Sequence, residues 1–339
     1  MRNIYDLTKE EFEEYFLRIN DKKFRATQIY EFLYKKRVKS LDECVNIGNN
    51  IKDKLKSDFD FSMIKLLIKQ EDVLVKKYLF ELTDGERIES VVMFHDYGIS
   101  ICVSSQVGCN MGCKFCESGR LKKRRNLLAY EIVQQLLLIE EDIGKCISHV
   151  LVMGIGEPFD NYDNVMRFVK IINEPKGIDI GSRHITVSTC GVVSGIEKFM
   201  LEKGQVNLAI SLHAPNDEIR NKIMPISKRY GLDELMEVIK KYIDVTNRRV
   251  TFEYIMLDGV NDSEDNALEL SKLLRGINCY VNLIPYNETE NIEFKRTKND
   301  QIMKFYDILK KNRINVTIRK EFGSKVDAAC GQLRANQEL

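Results

Sequence analysis

The chain has 339 residues, 44% hydrophobic and 30% charged, a globular balance that excludes wholesale disorder and a fibrous repeat. Its net charge is +1, from 52 basic and 51 acidic residues, so any nucleic-acid contact must come from local patches. No run approaches the roughly 18 apolar residues of a membrane span. The opening MRNIYDLTKEEFEEYF looks like neither a signal nor a transit peptide, so the expected location is cytoplasmic, with no membrane partner.

Residues 1–62 read as a helical domain. Within it, residues 26–36 (ATQIYEFLYKK) set Ile29, Phe32 and Leu33 at helical spacing, with lysines at the end that suits the dipole. Residues 21–40 carry Lys22, Lys23, Arg25, Lys35, Lys36, Arg37 and Lys39 against Asp21 and Glu31. This is either a solvated helix face or an RNA-facing patch. Residues 63–97 read as a β-hairpin linker: VLVKKYLFEL and RIESVVMF flank Thr83-Asp84-Gly85-Glu86, a strong turn signal. From residue 98 to 339 short apolar strands alternate with helices. Strands are expected at 99–104, 149–154, 184–189, 206–212, 249–257, 280–285 and 315–320, and helices at 129–143, 163–172, 233–243 and 265–277. Strands apolar on both faces and separated by helices imply parallel βαβ units. With no early Gly-x-Gly-x-x-Gly, the expected class is α/β, a partial (β/α)6-type barrel whose site lies at the C-terminal strand ends.

Directly after the first barrel strand comes VGCNMGCKFCESG, which spaces Cys109, Cys113 and Cys116 as C-x3-C-x2-C. Nine cysteines, an odd number in a chain expected in the cytoplasm, do not suggest a disulfide framework. Three readings are open. The thiols are three small buried residues in a tight loop; or they hold zinc with a distant fourth ligand, Cys146 or His149; or they hold an iron–sulfur cluster and leave one iron open.

The spacing, with Phe115 before the last cysteine, resembles the radical S-adenosylmethionine (SAM) superfamily. The segments SSQVGCNMGCKFC, RRNL, MGIGEPFDN, VSTCG, ISLHAPND, NLIPYN and VDAACGQL, in this order, resemble the RlmN-type adenosine methyltransferases over nearly the whole chain. The resemblance implies a radical SAM barrel with an RNA-binding helical domain, one 4Fe–4S cluster on Cys109, Cys113 and Cys116, and two SAM molecules consumed per turnover. It implies SAM contacts at Gly156, Glu157, Ser188, Ser211, Leu212, His213 and Asn287. It further implies that Cys330 carries a methyl group, that a SAM-derived radical takes hydrogen from it, and that the carbon then adds to adenine. Cys102 next attacks the Cys330 sulfur, forming a disulfide that frees the methylated base, and Glu89 accepts a proton. The chemistry explains the need: an amidine-type ring carbon has no lone pair to attack an electrophilic methyl. The implied substrates are 23S rRNA and tRNA, with a flavodoxin- or ferredoxin-type reductant and a monomeric state.

Arg120, Lys122, Lys123, Arg124 and Arg125 follow the cluster and are expected to grip phosphates while the adenosine is splayed from its stack. Two rivals remain. The Cfr-type methyltransferases modify carbon 8, but carry a further cysteine where Val107 stands here; Pro158 after Gly156-Glu157 is the RlmN-type form. A non-catalytic iron–sulfur RNA-binding protein would need neither Cys102 nor Cys330. Glu117-Ser118-Gly119 departs from the Ser- or Ala-Thr of many relatives.

Overall fold

The computed structural model describes residues 1–319 and 331–333. The helical unit opens with β1 (Arg2–Asn3) and continues through α1 (Lys9–Arg18), α2 (Phe24–Glu31) and α3 (Asn49–Asp58). It closes when β2 (Phe59–Asp60) pairs in parallel with β1. A capping box starts α1: Thr8 accepts from the Glu11 amide, and the Glu11 carboxylate accepts from the Thr8 amide at 2.9 Å. Phe12, Phe16, Tyr30, Leu55 and Phe59 are buried within this unit. After α2 the chain widens into a π-helical turn over Phe32–Lys36 and stops at Arg37, whose φ is 53°.

The remainder runs β3 (Lys65–Asp72), β4 (Val75–Glu81), β5 (Arg87–His95), β6 (Gly98–Cys102), β7 (Gln106–Val107), β8 (Arg125–Asn126) and α4 (Ala129–Ile143). Then come β9 (His149–Val152), α5 (Tyr162–Asn173), β10 (Ile185–Thr189), α6 (Val193–Met200), β11 (Asn207–Ser211), α7 (Asp217–Ile223) and α8 (Leu232–Thr246). The last elements are β12 (Val250–Met256), α9 (Glu264–Leu273), β13 (Cys279–Pro285), α10 (Asn299–Lys311) and β14 (Val316–Ile318). Among the described residues, ten strands form one sheet in the order β14-β13-β12-β11-β10-β9-β6-β5-β4-β3. From β6 through β9 to β14 neighbours are parallel, the βαβ barrel expected from the pattern. Among these residues no helix is long and apolar enough to cross a membrane.

The expected hairpin is present as β4 and β5, and it does more than link. β3, β4 and β5 are an antiparallel meander that pairs through β5 with β6 and so prolongs the barrel sheet. β3 escapes sequence reading because KLLIKQED lies mostly exposed at the sheet edge and shows no clean alternation.

Register fixes two faces. Ile101, Val150, Val187, Ile210, Phe252 and Val281 are fully buried on the helix-covered face. The alternate positions, including Cys102, Ser188, Ser211 and Glu253, point to the inner face. Val91 pairs with Cys102, so Glu89, two residues before Val91, shares that inner face.

Candidate active site

The short antiparallel pair β7–β8 closes a loop over residues 108–124. Inside it, the Cys109 amide donates to Leu121 O at 2.9 Å and the Cys116 amide to Cys113 O at 3.2 Å. Gly119 permits this compact coil, because a Cβ there would lie 2.6 Å from Cys113 O and 2.9 Å from its amide nitrogen. The Lys114 amide donates to Ile223 O at 2.9 Å and ties the loop to the end of α7. Burial pushes the Cys109 thiol up to about 12 and the Cys113 thiol well above its ordinary value. A thiol in such surroundings gives up its proton to a metal centre rather than to water.

One cavity at the C-terminal strand ends is lined by Cys109, Cys113, Cys116, Gly156, Glu157, Ser188, Ser211 and His213. These residues come from the cluster loop and from the ends of β9, β10 and β11, as a barrel site requires. The donor set is three soft thiolates. Among the described residues no three His, Cys, Asp or Glu side chains gather as a single metal ion requires. His149, one candidate zinc ligand, begins β9 at the opposite barrel end and stacks on His184 with ring centroids 4.5 Å apart. Cys146, the other, is exposed. The residues present therefore fit a cluster held by three thiolates, with one iron left to a non-protein ligand.

Each expected SAM residue has its own setting. Gly156 has φ of 110°, and a Cβ would meet the Gln106 side chain at 2.6 Å, so packing against Gln106 demands glycine here as well. Glu157 is buried, and its carboxylate accepts from the Phe159 amide at 3.0 Å and the Cys190 amide at 2.8 Å. Burial pushes its pKa up. Buried His213 adopts φ of 58° and accepts the Ile255 amide on Nδ1 at 3.0 Å, which leaves Nε2 as the protonated nitrogen. Burial and the charge of Arg220 push its pKa down to about 3. Phe115 packs on it edge-on, with centroids 4.8 Å apart. Leu212 and Asn287 stand outside the cavity wall. Leu212 is fully buried, with its amide on Glu253 O, while the Asn287 amide nitrogen lies 3.5 Å from Pro285 O.

Glu89 and Cys102 lie off the cavity on the same inner face. Glu89 is buried and pairs with Lys77 at 3.5 Å. Cys102 is buried among Val75, Leu79, Val91, Met93, Ile155 and Leu333. Cys330 lies outside the described residues. The segment just after it is tied down: the Glu117 amide donates to Gly331 O at 2.7 Å and Ser118 Oγ to Leu333 O at 2.7 Å. No disulfide joins any two of the described cysteines, and the implied Cys102–Cys330 bond falls outside them with Cys330.

Most of the basic run after the cluster has acidic partners within the chain. Lys123 pairs with Asp160 at 2.6 Å, Arg124 with Glu86 at 2.9 Å, and Arg125 with Asp84 and Glu131 at 2.6 and 2.8 Å. Arg120 donates to Asn291 O. Of the run, Lys122 is exposed and has no such pair among the described residues. In the 21–40 patch, Arg37 and Lys39 reach Glu140 and Glu141 on α4 and join the helical unit to the barrel. Acidic partners distant in sequence neutralise these cations, which a count along the chain does not reveal.

Sequence reading missed Glu253, Cys190 and Arg319, which also line the cavity. Glu253 sits within an apolar strand run, where inward and outward positions look alike until the register is known.

The Radical SAM superfamily model matches residues 103–271, and the Ribosomal RNA large subunit methyltransferase N-terminal domain matches residues 2–60. A protein of Spiroplasma citri is 50% identical over 343 residues, covering 100% of this chain and 99% of its own. One of Enterococcus faecalis is 52% identical over 345 residues, covering 99% and 96%. Both carry the name "Probable dual-specificity RNA methyltransferase RlmN". The crystal structure of a radical SAM methyltransferase from Sphaerobacter thermophilus superposes with a TM-score of 0.94 at 40% identity, over 99% of this chain and 100% of that one. Superfamily membership implies a 4Fe–4S cluster and SAM. On this full-length similarity, the chain belongs to the RlmN family of radical SAM RNA methyltransferases.

Proposed function

We propose that this methyltransferase acts on carbon 2 of an adenosine in 23S rRNA, at the peptidyl transferase centre, and of the adenosine next to the anticodon in some tRNAs. The observation that carries this reading is the shared inner face. Cys102 and Glu89 stand there beside a cavity lined by three thiols, and residues 331–333 are pinned against the loop bearing those thiols. When bound, the cluster and SAM supply one-electron chemistry able to take hydrogen from an unactivated methyl group. A flavodoxin- or ferredoxin-type donor would provide the electrons.

Cys109, Cys113 and Cys116 would hold the cluster, and Ser188, Ser211 and the 156–157 turn would orient SAM. His213, kept neutral, offers a fixed Nε2–H donor there. Cys330 would carry the methyl group to the base. Cys102 would then attack the Cys330 sulfur: an S–S bond forms, the S–C bond breaks, and the electron pair leaves on the carbon bound to the base, which takes up a proton. Glu89 would accept the ring proton as the adduct gives up its unpaired electron to the oxidised form of that one-electron carrier, with Lys77 balancing the carboxylate charge. The setting of Cys102 among apolar side chains, Leu333 included, keeps its sulfur away from solvent.

Nucleoside mass spectrometry on 23S rRNA and tRNA, from a host lacking its own enzyme and complemented with this gene, tests the reading. The expected product is 2-methyladenosine in both RNAs. A gain of 8-methyladenosine would reassign the chain to carbon 8 chemistry. Any methylation by Cys330→Ala would overturn the methyl-carrier role.

A further inference from the structure

Arg220 heads the fully buried large side chains of the molecule. It lies on α7, behind the cavity wall. Its guanidinium donates to three backbone carbonyls: Cys190 O at 2.7 Å from Nη2, Leu212 O at 3.3 Å from Nε, and Tyr230 O at 3.4 Å from Nη1. Among the described residues no carboxylate forms an ion pair with it. Asp217 lies within electrostatic reach of the guanidinium but turns its carboxylate to the Leu232 amide at 3.0 Å instead of pairing with it, and Glu157 accepts from the Phe159 and Cys190 amides. Carbonyl dipoles satisfy the N–H groups but do not cancel a charge. An arginine cannot shed its proton, so a buried guanidinium without a counter-ion is costly.

The cysteine loop offers a further negative charge. Α7 ends at Ile223, whose carbonyl accepts the Lys114 amide between Cys113 and Cys116. Ile223 and Ile219 pack in the same apolar cluster as Cys113 and Cys116. Arg220 and the Cys113 thiol each lie within electrostatic reach of the other. A cluster held by three thiolates is net anionic, and reduction adds one further negative charge. Inside a low-dielectric wall, a fixed cation at this place favours the reduced form more than the oxidised one.

We propose that Arg220 is the buried counter-charge of the iron–sulfur cluster and holds its reduction potential up, within reach of a one-electron donor. This rests on the cluster reading of Cys109, Cys113 and Cys116. Arg220 is a positioning residue: it is not among the side chains lining the cavity and acts through the cluster's charge balance. Net charge and burial are established levers on such potentials.

The test is a redox titration of the reconstituted holoenzyme, followed by electron paramagnetic resonance of the reduced cluster. At the wild-type midpoint, Arg220→Gln is expected to lower the reduced-to-oxidised ratio at least tenfold, about 59 mV for a one-electron couple. Arg220→Lys keeps the charge and is expected to recover most of that loss. An Arg220→Gln protein with full iron and sulfide and an unchanged midpoint overturns the proposal. So does an Arg220→Lys midpoint lowered as far as that of the glutamine variant. Should the glutamine variant fail to load iron, the lysine variant decides alone: a midpoint near wild type supports the proposal, and a tenfold fall in the ratio overturns it. Failure of the cluster reading itself shows separately, as wild-type protein that binds no iron or sulfide on reconstitution.

Discussion

His213 combines three constraints in one residue: a left-handed backbone, burial and an Nδ1 that accepts the Ile255 amide. Its folded-state pKa of about 3 lies below the ordinary 6.5. Between those values the unfolded chain binds a proton that the folded chain refuses, so this residue makes stability fall as pH drops from 6.5 toward 3. His213→Asn retains an acceptor and tolerates the positive φ. Urea midpoints against pH should therefore be flatter over that range in the variant than in the wild type. Gly119 is a second constrained position. Gly119→Ala drives a methyl group into the Cys113 backbone, where no flexible side chain can give way. Its iron and sulfide content after anaerobic reconstitution should fall to background while the far-UV circular dichroism is kept. The sequence exposed His213 only through its motif; the reason for histidine, an amide to cap beside a cavity, became visible once β12 lay next to β11.

At the scale of elements, the cluster loop depends on how β8 and α4 are fastened. Glu131 is buried in the first turn of α4, accepts the Leu128 amide at 2.8 Å and receives both guanidinium arms of Arg125 at 2.8 Å. Arg125 also reaches Asp84 in the turn between β4 and β5, so one cation joins hairpin, loop closure and helix. Glu131→Ala leaves Arg125 partly buried with Asp84 as its one carboxylate partner among the described residues and should cost about 2–3 kcal/mol, read from urea midpoints. The helices over 129–143 and 233–243 were legible because their apolar periodicity is long. By contrast, α7 has seven residues and lies within an irregular stretch, so periodicity could not show it. The element that carries Arg220 was thus hidden for the same reason that short helices usually are.

Over the whole molecule, charge is used for joining parts. Glu11 binds Arg2 at 2.9 Å and Arg167 of α5 at 2.6 Å, and Lys170 binds Glu10 at 3.1 Å. Burial pushes the Glu11 pKa up, but the Thr8 amide, Arg167 and Arg2 outweigh it and hold it at about 2, below the ordinary 4.5. Its contribution is present above pH 4.5 and is lost as pH falls toward 2. Glu11→Gln should flatten the acid limb of apoprotein stability in that window, an effect kept modest by solvent screening. Ion pairing also divides the basic run after the cluster. Lys122→Ala should lower the salt slope of RNA binding by about one, whereas Lys123→Ala, whose cation already pairs with Asp160, should lower it less. Filter-binding isotherms across salt concentrations separate the two outcomes.

The amino-acid sequence alone determined the βαβ barrel, the position of the three-cysteine loop after its first strand and the family. These depend on periodicity and on the local order of motifs, both written along the chain. Tertiary structure decided what depends on residues far apart meeting. It turned the hairpin into a sheet extension, and it matched the basic residues after the cluster with acids of other elements. It put Glu89 and Cys102 on one face, and it buried Arg220 behind the thiols with no carboxylate ion-paired to it among the described residues. Burial and charge pairing are properties of proximity in space, and spacing in the chain does not encode them.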